Sequence, residues 1–318
     1  MNEQVQRVLD EVKMVITGKD ESIKKTFSAI LAGGHILIED VPGVGKTTLA
    51  MAFSRALSLE NRRMQFTPDV MPADILGFNM FQKETGQFVY FPGAIMCNLF
   101  LADEINRTSP KTQSALLEVM EEGRVTVDGE SRSVPNPFVV IATQNPKGSA
   151  GTQLLPESQL DRFMICISMG YPNLEDEVEI LKGKSSASFI SEVNPVLSMD
   201  ELMEMKLEVE NVHVKDKVFA YIAALSKATR EHNYVDLGLS PRGSIACVRM
   251  AKAWAYLKGR DYVLPEDVAE IFPDVAKHRI MLSTKARVAQ VTASAVIQEI
   301  LAKVNQPTSY MKKEEYRV

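Results

Sequence analysis

The stretch Asp40-Val-Pro-Gly-Val-Gly-Lys-Thr-Thr48 closes a glycine-bearing loop on an ammonium and two hydroxyls. It is entered from the apolar run 35–39 and left through a helical run at 49–57. Strand, loop and helix in that order cradle a triphosphate. Backbone N–H groups of Val44, Gly45 and Lys46 point at the phosphates, the Lys46 ammonium reaches the β and γ groups, and the Thr47 hydroxyl holds Mg2+. Pro42, Gly43 and Thr48 complete the loop. Asp40 occupies the first position of the usual pattern, where glycine is expected, and aspartate tolerates unusual backbone angles. A plain turn with a chance Lys-Thr is the bland alternative, and the flanking strand and helix argue against it.

A second constellation follows the apolar run 98–102, which ends in Asp103-Glu104. In a parallel sheet the carboxyl ends of the strands share one crevice, so this pair belongs beside the phosphate loop. Asp103 then orients the Mg2+ shell and Glu104 accepts a proton from the attacking water. Alone, the pair reads equally as a solvated acidic turn. The run 138–142 ends in Thr143-Gln144-Asn145-Pro146, placing polar groups at the same edge. Asn145 is the first candidate for aligning water and Thr143 the second; an ordinary Asn-Pro turn is the alternative.

These side chains need a sheet to hold them. Apolar runs at 35–39, 63–66, 98–102, 138–142 and 163–168 alternate with helical patterns, the signature of a parallel five-stranded sheet with crossover helices. After Tyr171-Pro172-Asn173 strand signals almost vanish and helices are expected over 174–184, 215–231, 244–257 and 265–274. The fold class is therefore α/β, with a nucleotide-binding domain over 1–173 and an all-α domain over 174–318 ending in a polar tail from Asn305. Ser109, Pro110 and Gly123 bracket a helix over 110–122, whose Gln113, Leu116, Leu117 and Met120 share a core face. Asp128-Gly129 between 124–127 and 131–134 predicts a hairpin.

With 36 basic against 41 acidic residues, the net charge of −5 disfavours a phosphate-backbone binder. Cys97, Cys166 and Cys247 form no metal or disulfide spacing and read as buried thiols of an intracellular, cytoplasmic protein. No segment has the length and apolarity of a membrane span.

Taken together, 40–47, Leu101-Ala-Asp-Glu-Ile-Asn-Arg-Thr-Ser-Pro110, Ala142-Thr-Gln-Asn-Pro146, Leu155-Pro-Glu-Ser-Gln-Leu-Asp-Arg-Phe163 and Leu239-Ser-Pro-Arg242 resemble the MoxR family of AAA+ ATPases. The resemblance covers about residues 15 to 283 and implies an αβα core, a helical lid and a ring, a hexamer, with ATP between subunits. It implies that Arg162 is the arginine finger given to a neighbour's γ-phosphate, that Arg242 is the lid sensor closing on nucleotide, and that Ile16 to Gly18 meet adenine. The residues alone leave Arg162 open to a plain ion pair and Arg242 to a solvated helix start. Arg107 and Lys111 are further interface candidates. The aromatic-rich stretch 77–93 resembles the family's insertion in helix two; both hairpins face pore or partner, or merely extend the core.

The expected function is Mg2+-dependent ATP hydrolysis driving remodelling or activation of a partner, and the resemblance implies von Willebrand factor A domain proteins. A magnesium-chelatase-like motor subunit and a nucleic-acid translocase are the rivals. No Asn-Lys-x-Asp motif for guanine is present.

Overall fold

A computed structural model describes residues 3–145, 155–182 and 187–307, with the backbone alone at 187–189. Pro146, the last two residues of the helix expected over 174–184, and residues 308–318 of the polar tail lie outside the described residues.

The chain opens with α1 (Glu3–Val15) and α2 (Asp20–Leu31), then runs through β1 (Ile36–Glu39) and the phosphate loop into α3 (Lys46–Ala56). β2 (Asn61–Gln65) and α4 (Pro72–Leu76) lead to a hairpin, β3 (Gly77–Gln82) and β4 (Gln87–Pro92). After β5 (Leu99–Asp103) and α5 (Pro110–Glu122) comes a second hairpin, β6 (Arg124–Val127) and β7 (Glu130–Ser133). Its turn places Asp128 at φ 51° and Gly129 at φ 82°, the backbone that Asp-Gly accommodates. β8 (Val139–Gln144), α6 (Glu157–Leu160) and β9 (Ile165–Ile167) complete the core.

The central sheet has five parallel strands in the order β2-β5-β8-β1-β9. Side chains alternate between its faces. Ile36, Ile38, Leu101, Ile141 and Ile165 join one buried cluster with α1, α2 and α3; Leu37, Phe100, Val140 and Cys166 join another beneath α5. Such strands, apolar on both faces, require helices on both sides and give three layers.

The C-terminal part comprises α7 (Leu174–Leu181), α8 (Met199–Glu210), α9 (Asp216–Arg230), β10 (Val235–Leu237), α10 (Pro241–Leu257), α11 (Pro265–Ala276), β11 (Met281–Leu282), α12 (Thr284–Val288) and α13 (Ala293–Lys303). α10 packs on α2, α8, α9 and α11, and α11 reaches β9. Its core is continuous with the α1–α3 side of the sheet. Helices dominate this part, and β10 and β11 add one small antiparallel pair. Segments so short carry no readable period. Among the described residues no helix is long and apolar enough to cross a membrane.

Candidate nucleotide site

β1 lies between β8 and β9, so the loop that follows it opens at the sheet's switch point. Gly43 and Gly45 take φ 87° and 91°, left-handed angles that cost an ordinary residue strain. Gly45 is the residue before α3, so successive amides there form an anion-binding concavity on a helix N-terminus.

Asp40 is not there for its backbone angle, since it is not among the positive-φ residues. Its carboxylate staples the loop instead. Oδ2 accepts from Ser168 Oγ at 2.8 Å and Gly170 N–H at 2.6 Å, and Oδ1 from Val41 N–H at 2.9 Å. Burial raises the pKa of this carboxyl, but the hydrogen bonds from Gly170, Ser168 and Val41 outweigh it and hold the group below its ordinary value. Lys46 is buried and donates from Nζ to the Asp40 carbonyl at 2.7 Å. Burial lowers its pKa against the pull of Asp40, Asp103 and Glu104. An incoming polyphosphate offers this desolvated ammonium a stronger partner.

Asp103 ends β5 and each of its oxygens is taken. Thr143 Oγ1 donates to Oδ1 at 2.6 Å, and Arg63 donates to Oδ2 from Nε at 3.2 Å and Nη2 at 2.8 Å. Thr143 Oγ1 also accepts the Glu104 N–H at 2.9 Å, so one hydroxyl aligns both acids. Glu104 sits in the left-handed region at φ 55°, a strained geometry for a non-glycine residue. Its Oε2 pairs with Arg107 at 2.8 Å and its Oε1 accepts a long hydrogen bond from Asn145 Nδ2 at 3.4 Å.

Lys46, Thr47, Arg63, Asp103, Glu104 and Asn145 line one cleft of about 350 Å³. An adjoining cleft of about 410 Å³ is bordered by Ile16, Val44, Thr48, Tyr171 and Leu181. Gly18 lies at φ 72° beside α7, where an added Cβ would fall 1.7 Å from the Asp176 carboxylate. The two clefts fit a nucleotide with its phosphates at the loop and its base toward Ile16. Thr47 and Asp103, a hydroxyl and a carboxylate in the phosphate cleft, are the hard oxygen donors Mg2+ takes.

Arg162 and Arg242 are elsewhere. They line a separate cavity of about 270 Å³ with Glu121, whose Oε2 is 3.2 Å from Arg162 Nη2 and whose Oε1 accepts from Arg242. The structure thus does not bring Arg242 to its own chain's phosphate loop: it starts α10, which packs on α2 away from the loop. Sequence reasoning missed Arg63 and Glu121. The signal for Arg63 is a cation on the exposed edge strand beside the acid-bearing one; Glu121 carries no local signal.

A parallel sheet with this loop at its switch point, an acidic pair on a nearby strand and a helical lid define an AAA+ ATPase. Residues 35–165 match the ATPase family associated with various cellular activities, and 227–300 match the AAA lid domain. The chain is 44% identical over 301 residues to the uncharacterised protein YeaC of Bacillus subtilis, spanning 95% of this chain and 94% of that one. It is 37% identical to chaperone MoxR1 of Mycobacterium tuberculosis, spanning 95% and 82%. A crystal structure of a candidate ATPase from Cytophaga hutchinsonii superposes with a TM-score of 0.88 at 38% identity, covering 96% and 95%. This chain belongs to the MoxR family of AAA+ ATPases. A magnesium-chelatase subunit of tobacco is more distant, 29% identical over 57% of this chain.

Proposed function

We propose that this protein hydrolyses ATP with Mg2+ in a cytoplasmic ring, a hexamer, and uses the cycle to remodel or activate partner proteins, von Willebrand factor A domain proteins among them. Lys46, Thr47, Asp103, Glu104 and Asn145 meeting in one cleft is the observation that carries this reading. The nucleotide-binding core ends near residue 173 and the lid follows. The chaperone name of the mycobacterial relative supports a protein client, and the net charge of −5 supports it over nucleic acid.

Lys46 neutralises the β and γ phosphates, and loop amides 44–46 hold them in line. Thr47 and Asp103 would hold Mg2+, which when bound would supply Lewis-acid screening of phosphate charge. Glu104 Oε1, facing Asn145 while Oε2 is held by Arg107, accepts the proton of the attacking water. Arg162 from an adjacent protomer offsets the charge that develops on the γ-phosphate. Ile16 and Gly18 border the base.

Nucleotide binding and phosphate release separate these roles. K46A is expected to lose ATP binding, whereas E104Q keeps it and turns over at least about a hundredfold more slowly. Equal loss of binding in both would refute the division. Proteins captured by the ATP-locked E104Q ring identify the client; metal insertion into a porphyrin with added partner subunits would move the reading to a chelatase.

A further inference from the structure

We propose that Glu121 is a positioning residue that holds Arg162 and Arg242 as one aligned pair, ready for phosphates bound by an adjacent protomer. This rests on the trans role proposed above for Arg162 and extends that role to Arg242. One carboxylate serves two guanidiniums from separate elements: Arg162 follows α6, Arg242 lies in the first turn of α10, and each meets a different oxygen of Glu121. Two guanidiniums side by side repel, and a carboxylate between them removes that cost.

All three residues are set on fixed supports. Glu121 lies in the last turn of α5, where the preceding Met120 carbonyl is 2.9 Å from His35 Nε2 and Gly123 ends the helix at φ 65°. Asp161, next to Arg162, pairs with the buried Arg279 at 2.7 Å and accepts at 2.9 Å from the hydroxyl of Ser240, the residue that caps α10. The finger loop and the start of the lid helix are thereby tied to each other, and Glu121 ties both to the core.

The pairing leaves donors over. A guanidinium carries five N–H groups in a planar fork, and Glu121 engages only Nη2 of each. Arg162 Nε is buried without a hydrogen-bond partner among the described residues. The cavity of about 270 Å³ that the pair lines has room for an anion's oxygens. Glu121 is itself 40% exposed, so its ion pairs contribute little to stability, and orientation is what they achieve.

Steady-state phosphate release with assembled protein tests this. E121Q keeps the shape but sets an amide against one arginine; kcat is expected to fall about tenfold while KM for ATP stays within about twofold. E121D, which keeps the charge, recovers part of the loss. Melting temperature stays at the wild-type value. Wild-type kcat in E121Q, or a melting temperature that falls with kcat, would overturn the proposal. If R162A alone turns over like wild type, the trans-arginine reading fails and takes this one with it; an inactive R162A beside a fully active E121Q sinks only the role of Glu121.

Discussion

Thr143 does with one hydroxyl what catalysis by paired acids needs: it donates to Asp103 and accepts from the Glu104 amide, fixing the distance between two groups with different tasks. Valine has the same shape and neither bond. T143V is expected to lose about 2 kcal/mol of stability, because the Glu104 amide is left unpaired and Asp103 loses a donor, and to lower kcat at least tenfold. T143S should restore both; a T143V enzyme with wild-type turnover in a phosphate-release assay would show that Thr143 only packs. Arg63 makes a different prediction. Its guanidinium sits on Asp103 Oδ2, and both residues line the phosphate cleft, so Arg63 is a resident cation there. R63A therefore leaves Asp103 and Glu104 less compensated. Chelator-treated R63A should melt below wild type and gain more from added Mg2+ alone. Equal Mg2+ responses would mean that Arg63 does not compete for that position.

At the scale of elements, β1 is held by the residue before it as well as by its neighbours. His35, just before it, accepts the Val140 N–H on Nδ1 at 3.0 Å and faces the Met120 carbonyl with Nε2 at 2.9 Å, which fixes the neutral tautomer with its proton on Nε2. Burial, with Arg249 and Lys206 adding like-charge repulsion, pushes its pKa from 6.5 down to about 4, against the Met120 hydrogen bond. The folded pKa is depressed, so the unfolded chain takes up the proton first. The stabilisation is whole above pH 6.5 and is lost as pH falls from 6.5 toward 4, in total ~3 kcal/mol at 1.36 kcal/mol per unit. Urea unfolding at pH 7.5 and pH 5 should show most of that loss in wild type and a smaller one in H35Q; parallel slopes would exclude His35 as the cause. His278, partly buried with its Nε2 on the Phe163 carbonyl and likewise pushed down by desolvation, accounts for part of the remaining slope. The five strands, the helix capped by Ser109 and the Asp-Gly hairpin were legible in sequence because their signals are local: period, cap and turn chemistry. Partnerships across the sheet were not. Asp40 finds Ser168 and Gly170, Arg63 finds Asp103, and Glu121 finds two arginines only after strand order brings distant segments together.

In the whole molecule the phosphate cleft and the arginine cavity have no lining residue in common, so one protomer presents a substrate site and, separately, a pair of cations. In the ring proposed above, head-to-tail association would bring the second to the first on each neighbour and give every site a finger. The exposed Phe78, Phe81 and Phe88 of the first hairpin leave aromatic surface for a pore or a partner to cover. A mixing experiment separates a trans finger from a residue that merely supports its own chain. K46A protomers have no working site but an intact Arg162; R162A protomers have the reverse. Each alone should be inactive. In rings assembled from equal amounts, an R162A site beside a K46A finger occurs at about a quarter of interfaces, and turnover should approach that fraction of wild type if interfaces act independently. Mass measurement of the mixed rings guards against silent segregation of the two variants. Verified mixed rings with no recovery would show that Arg162 works within its own chain, and the geometry around Glu121 would then be a structural tie between core and lid.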